Sequence, residues 1–165
     1  MVRDKDTPSS PLEKQPHSLY LTLLRLVVGG VFLVQGINKL CWLSKPDIIL
    51  TQFDRWLESA TPIEQAYMGL WAPLAEMLRY VVLFGELAAG ISLIVGILVP
   101  LSSVLAVLMV LNFKLASGGL LNWGFLGDPY GIVLVVLLIM FATTRAGRSF
   151  GLDSILQKKL PSFLA

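Results

Sequence analysis

Four apolar runs separated by polar or turn-rich stretches organise this chain: Tyr20–Leu43, Leu74–Val99, Leu101–Ala116 and Tyr130–Thr144. At about 1.5 Å of rise per residue, the first two are long enough to cross the roughly 30 Å hydrocarbon core of a bilayer as helices. The other two are shorter. The pattern predicts an all-α integral membrane protein, a four-transmembrane-helix bundle with one domain over 18–156, an N-terminal arm (1–17) and a tail (157–165). The first run is too long for a signal-peptide core and lacks a small-residue cleavage site, so it reads as a retained helix. Pro100 is expected to end the second span and begin the third as a tight hairpin. Ser117-Gly118-Gly119 breaks the third span, and Gly124 to Pro129 is a second turn-rich stretch. From Trp42 to Pro73 the chain turns polar and aromatic. There Ile48, Phe53, Trp56 and Leu57 alternate with charges either as an interfacial amphipathic helix does or as a loop with one or two helical turns does. Met1 to His17, with three prolines, reads as a disordered arm. A short helix is expected over Asp153–Leu160.

Composition strengthens the membrane assignment. Hydrophobic residues make up 55% and charged residues 15% of the chain, and the mean hydropathy is +0.73. A soluble domain carries about 25% charged residues. The net charge of +2 has its positives spread among loops and helix ends, so nucleic acid is not an expected partner. Membrane lipid, and either a partner protein subunit or further copies of this chain, are expected instead. Arg3, Lys5 and Lys14 in the arm and Arg145, Arg148, Lys158 and Lys159 in the tail place both termini in the cytoplasm, with the long first connection outside. Tyr20, Trp42, Trp71, Trp123 and Tyr130 fall at predicted span ends, as an aromatic belt requires.

Cys41 is the single cysteine and His17 the single histidine. The chain therefore cannot build an internal disulfide, a Cys-x-x-Cys redox pair, a bis-histidine haem or a copper centre. No metal site is expected, and no cofactor held covalently or by metal ligation.

Charges inside the spans carry the candidate chemistry. Glu86 lies about halfway along the second run, where a carboxylate costs about 2.5 to 3.5 kcal/mol to insert and marks a paired or functional position. On the first helix Arg25, Gly29, Phe32, Gly36 and Lys39 recur at helical spacing on one face; on the second, Glu76, Arg79, Leu83, Glu86 and Gly90 do the same. Gly85 and Ala89 flank the second stripe and allow a neighbouring helix to come close. Lys114 adds a cation near the end of the third helix, with Asn112 close in sequence. Counting four cations against two carboxylates leaves positive charge toward the outer mouth. Lys39 and Lys114 either snorkel to headgroups or help form a pocket for an anion or a quinone headgroup, with Arg25, Lys39, Arg79, Glu86 and Lys114 as its candidate residues. Glu86 reads equally as a structural ion pair and as a proton or ligand contact.

At these positions the sequence resembles the DoxX/DoxD family. Leu24-Arg25 with Gly29, Phe32, Gly36 and Lys39 is similar to the Arg, Gly, Phe, Gly, Lys pattern of the family's first helix. Gly85-Glu86, Gly90 and Gly96 are similar to its second-helix pattern. Gly147-Arg148-Ser149 leading to Leu152-Asp153 resembles its Gly-Arg-x-Ser-Leu-Asp ending, with Phe150-Gly151 as a departure. The resemblance implies a four-helix protein of the bacterial or archaeal plasma membrane tied to respiratory or sulfur redox chemistry. It implies a subunit of a quinone-linked, thiosulfate-oxidising complex of the DoxD-like kind, or a non-enzymatic scaffold or assembly factor for a redox enzyme. Arg25, Lys39 and Glu86 are the residues that match. A small transporter is the less favoured reading, because the Val99-Pro100 hairpin gives no sign of a broken helix.

Overall fold

A computed structural model of the chain describes residues 15–118, 128–144, 146–148 and 151–153. Residues 1–14 of the expected arm, the turn-rich stretch from Gly119 to Gly127 with Trp123, and the expected helix beyond Asp153 lie outside these. Six α-helices occur among the described residues, and no strand: α1 (Gln15–Asn38), α2 (Ile48–Leu57), α3 (Pro62–Trp71), α4 (Ala75–Val95), α5 (Val99–Ala116) and α6 (Pro129–Thr144). Three helical stretches are long and apolar enough to cross a membrane: Leu19–Ser44, Pro62–Val95 and Val99–Ala116. The fourth apolar run is helical where expected, with 16 residues. At 1.5 Å per residue it spans only about 24 Å.

Helix boundaries follow local chemistry more closely than they follow hydropathy. Helix α1 is already formed at Gln15, where the described residues start, inside the expected arm. The helix ends at Asn38 and tightens into a 3₁₀ turn over Leu40–Ser44. Helix α4 stops at Val95, earlier than the apolar run, where Gly96 adopts a left-handed conformation at φ 74°. Glycine in that conformation is a common closure of helix C-termini. Pro100 starts α5 without ending α4. The polar connection resolves into the helical pair α2 and α3. Pro62 opens α3, and the Thr61 backbone N–H donates to Glu64 Oε2 at 2.7 Å. This is the glutamate's half of the capping that a threonine and a glutamate three residues apart provide. Ile49, Phe53, Met68, Ala75 and Ala116 form a core beneath this pair, sealed by Trp42, Trp56, Tyr67 and Trp71.

Helix α1 packs along α4, α4 against α5, and α5 against α6, whereas α1 and α6 touch sparsely. The two stripes meet, with one change of register. Arg25, Phe32 and Gly36 are buried on α1, and Arg79, Leu83, Glu86 and Gly90 on α4. Glu76 turns outward, its side chain 76% exposed. Ala75 takes the buried place expected for Glu76. The α1–α4 contact is close enough that a Cβ on Gly36 would lie 2.7 Å from Leu87, and one on Gly90 2.6 Å from the Leu33 backbone nitrogen. In lipid, where apolar burial between helices gives little drive, this backbone approach supplies the packing. Val27, Val81, Leu105 and Val133 meanwhile face outward. Apolar outer faces of this kind are what lipid contact requires.

The α4–α5 turn is fastened from three directions. Ser92 Oγ donates to Ser102 Oγ at 2.7 Å, and Leu98 takes an unusual left-handed φ of 51°. Asp153, fully buried, accepts the Leu98 N–H at 2.7 Å and the Val99 N–H at 3.0 Å. It thereby caps α5 from far along the chain. Arg25 lies against the same turn: its Nη1 donates to the Ala146 carbonyl at 3.0 Å, and a Cβ on Gly96 would stand 2.5 Å from it. Asp153→Ala is expected to cost about 1 to 2 kcal/mol through the lost cap. Gly96→Ala should cost at least as much, since an L-residue in the left-handed region loses about 1 to 2 kcal/mol before any collision. Both should lower the thermal unfolding midpoint in detergent; unchanged midpoints would show that the Asp153 segment does not anchor the turn.

Candidate functional site

Lys39, at the end of α1, and Glu86, mid-way along α4, form the central ion pair. Nζ reaches both carboxylate oxygens, at 2.5 and 2.6 Å, and the side chains are only 18% and 8% exposed. Trp42 and Phe113 flank the ammonium, with ring centroids at 5.5 and 5.8 Å. Both rings add cation–π attraction in a dry setting. The pair forms because Gly36 and Gly90 let the two backbones close on each other, bringing a four-carbon lysine stem within reach of a carboxylate on the neighbouring helix.

Beside this pair lies a half-open cavity of about 170 Å³ bounded by α1, α4, α5 and α6. Its walls are mostly apolar, from Val31, Phe32, Met109, Val110, Phe113 and Leu134; Gln35, Glu86, Lys114 and Tyr130 supply the polar groups. Lys39 is not part of the wall. Lys114 instead pairs with Asp128, the residue just before α6. Asp128 also stands at the N-cap position of α6: its backbone carbonyl accepts the Ile132 N–H at 3.3 Å, and the Tyr130 and Gly131 N–H groups favour its charged carboxylate. One carboxylate thus caps α6 and neutralises Lys114. The Lys114 hydrogen bond, with those two backbone donors, holds the Asp128 carboxyl below the usual aspartate range. Hydrogen bonds to the charged form always act in this direction. Gly131 leaves the room this needs, because a Cβ there would lie 2.9 Å from Asp128 Oδ2 and 3.0 Å from Lys114 Cε.

The remaining sequence candidates sit elsewhere. Arg79 is buried beneath the 3₁₀ turn: Nη1 donates to the Trp42 carbonyl at 3.3 Å, and Nη2 lies 2.8 Å from the Tyr80 hydroxyl and 3.5 Å from Glu76. Arg25 stands at the α4–α5 turn. Fourteen helical steps separate it from Lys39, about 21 Å along the axis. The expected pocket therefore divides in three, with Glu86 and Lys114 at the cavity, Lys39 attached to Glu86, and Arg25 and Arg79 holding backbone carbonyls. The expected surplus of positive charge at the outer mouth is also corrected. Lys39, Arg79 and Lys114 each have a carboxylate partner. The count goes astray because Asp128 lies just outside the apolar runs over which the charges are summed. Asp128-Pro129 ahead of an apolar run is itself a helix-start signal that discloses the cap. Gln35 has no such signal, since nothing local marks a residue that faces a cavity.

No group of three or more His, Cys, Asp or Glu side chains lies together among the described residues. The arrangement can accept and donate hydrogen bonds to one small polar group against a mostly apolar wall, with a carboxylate at hand.

The Asp128 contact has a pH signature. A carboxyl whose folded pKa is depressed contributes stability above its unfolded pKa, near about 3.9, and loses that contribution as pH falls through the folded value. The Lys114 contact should thus persist from neutral pH to about pH 4 and break only below it. A carbon-13 titration of the Asp128 carboxyl should show a midpoint below that of ordinary aspartate, shifted upward in Lys114→Met. An ordinary midpoint in the wild type would sink the assignment.

No curated protein and no solved structure matches the chain. A family model does: the DoxX model matches residues 20–116, from the first turns of α1 to the end of α5 and including the whole Lys39–Glu86 pair. With well over half of its length matched, this chain of apolar helices joined by glycine contacts and a buried ion pair belongs to the DoxX family of membrane proteins.

Proposed function

We propose that this protein is the membrane subunit of a quinone-linked redox complex, offering a pocket for a quinone headgroup between α1, α4, α5 and α6. The observation that carries this reading is the cavity itself, apolar over most of its wall and polar at Gln35, Glu86, Lys114 and Tyr130. Such sites suit a flat, largely apolar ring with a few oxygen acceptors. The pairing of Lys39 and Lys114 with carboxylates favours a neutral headgroup over an anion, since among the described residues no cation is left over in the wall to balance a ligand's charge. The quinone supplies the redox-active carbonyls. In this reading Lys114 or Tyr130 hydrogen-bonds one of them, and Glu86, already held by Lys39, is the group able to pass a proton. Electrons come from a partner subunit bearing a redox centre, because a single cysteine and a single histidine provide no dithiol or bis-histidine haem.

The finer assignment follows the same line: four helices spanning the plasma membrane of a bacterium or archaeon, both termini cytoplasmic, in a DoxD-like, thiosulfate-oxidising complex. Continuity of α6 with the α5 packing supports the fourth span. The helical pair α2–α3, in the long connection between α1 and α4, supports the DoxD-like side.

One observation favours a second reading, that of a non-enzymatic scaffold for a redox enzyme: the Lys39–Glu86 pair is already satisfied by itself and fastens two helices. The two readings separate on paired substitutions. Breaking one partner of a buried ion pair costs about 3 to 5 kcal/mol, whereas replacing both with apolar groups of similar size is often neutral. Lys39→Met alone should reduce abundance, and Lys39→Met with Glu86→Leu should restore it. The quinone reading expects the restored double variant to bind quinone at least tenfold more weakly than wild type in lipid nanodiscs, a loss of about 1.4 kcal/mol. Full binding by that variant, or none by the wild type, would leave the scaffold reading standing.

A further inference from the structure

The cavity does not end at its polar groups. Along the outer side of α1 runs a shallow furrow of about 430 Å³, bounded by Val27, Gly30, Val31, Val34, Gln35 and Tyr130. Three of these residues, Val31, Gln35 and Tyr130, also line the inner cavity, so the two spaces adjoin at a shared wall. The place is where the bundle is least closed, because α1 packs on α4 and α6 on α5, leaving α1 and α6 sparsely in contact. Gly30 stands in the middle of the furrow, and a Cβ added there meets nothing within 4 Å. Unlike Gly29 and Gly36, it is not used for helix contact. Val27, Val34 and Tyr130 are 65%, 56% and 55% exposed. On a helix of this composition that exposure is to lipid.

The polarity is graded along the furrow. Its Gln35 end meets the cavity at Tyr130, and both residues line both spaces. Its other end, at Val27, is wholly apolar. Eight helical steps separate the two ends, about 12 Å along α1. A half-open pocket with a few polar groups in a mostly apolar wall, joined to an apolar trough that opens sideways, suits an amphiphile dissolved in the membrane and fits poorly to a solute arriving from water.

We infer that the α1–α6 furrow is a lateral portal and tail groove. The headgroup of a long-tailed quinone passes from the bilayer between Gln35 and Tyr130 into the cavity, while its alkyl or isoprenoid chain lies along Val34, Gly30 and Val27. Gln35 and Tyr130 border that passage, since both line the cavity and the furrow alike. This rests on the quinone reading above and adds the route and the requirement for a tail.

The test compares two probes on the full-length protein in nanodiscs: a decyl-tailed benzoquinone and the same headgroup bearing only a methyl group. Gly30→Phe fills the furrow from a position with free space, and Val34→Trp does so independently should the first variant fail to accumulate. Val104→Phe, on the exposed face of α5 outside the furrow, is the control. Expected is a loss of about tenfold or more in affinity for the decyl probe in either furrow variant, little change for the methyl probe, and no effect of the control. Decyl binding unchanged in both furrow variants overturns the portal while leaving the quinone reading intact. Equal weakening of both probes also overturns it, since it would mean that the headgroup site itself was disturbed. If the wild type binds neither probe, the quinone reading fails and the portal fails with it.

Discussion

The close seating of α1 on α4 fixes where everything else in this protein can go. It has two components of different character. Gly36 and Gly90 remove the side chains that would hold the backbones apart, and Lys39 and Glu86 then lock the pair at one register. Packing alone is tolerant along a helix axis, because a slide by one turn replaces one set of apolar contacts with another. The ion pair is not tolerant, since a slide would leave two charges separated in hydrocarbon. Specificity comes from the polar contact and proximity from the glycines. With α1 committed to α4 in this way, its opposite side is left facing α6 across a gap.

The charged groups divide into those that hold helices and those that border space. Arg25 and Arg79 each donate to a backbone carbonyl from a remote segment. That role suits a guanidinium, with several donors and a charge that cannot be shed. Lys39 and Lys114 are matched one to one with carboxylates. Each pair also stands where a helix begins or ends: Lys39 closes the end of α1, and Asp128 caps α6 while holding Lys114. The cavity is thus bordered by groups whose own charges are already balanced.

Much of this is legible in the sequence. Helical spacing places Arg25, Gly29, Phe32, Gly36 and Lys39 on one face, and that face is the one that packs. The carboxylate at Glu86 is conspicuous because its depth is costly, which makes a partner necessary, although periodicity does not choose between Arg25 and Lys39. Hydropathy misleads where it is read as a boundary. The apolar run continues through Gly96 to Val99, yet the left-handed turn at Gly96 ends the helix. Backbone conformation, and not side-chain polarity, decides termination. Glu76 lies one position from the buried Ala75, so a stripe drawn by spacing alone takes the wrong one of two adjacent residues. The pairing of Lys114 escapes because its partner lies in a turn, beyond the span over which membrane charges are tallied.

Asp153 adds a constraint on the order of events during biosynthesis. The two N–H groups it satisfies belong to Leu98 and Val99, made 55 and 54 residues earlier. At about 5 to 20 residues per second, the α4–α5 turn exists for on the order of 3 to 10 s before its cap has been translated. During that interval the Leu98 and Val99 N–H groups lack the carboxylate that accepts them in the finished fold. It is therefore a provisional hairpin when it first enters the membrane, and becomes a settled one only when the segment bearing Asp153 folds back onto it. A ribosome that stalls between α5 and Asp153 leaves three membrane-length helices inserted without the contact that closes their turn, giving quality-control proteases a distinct species to recognise.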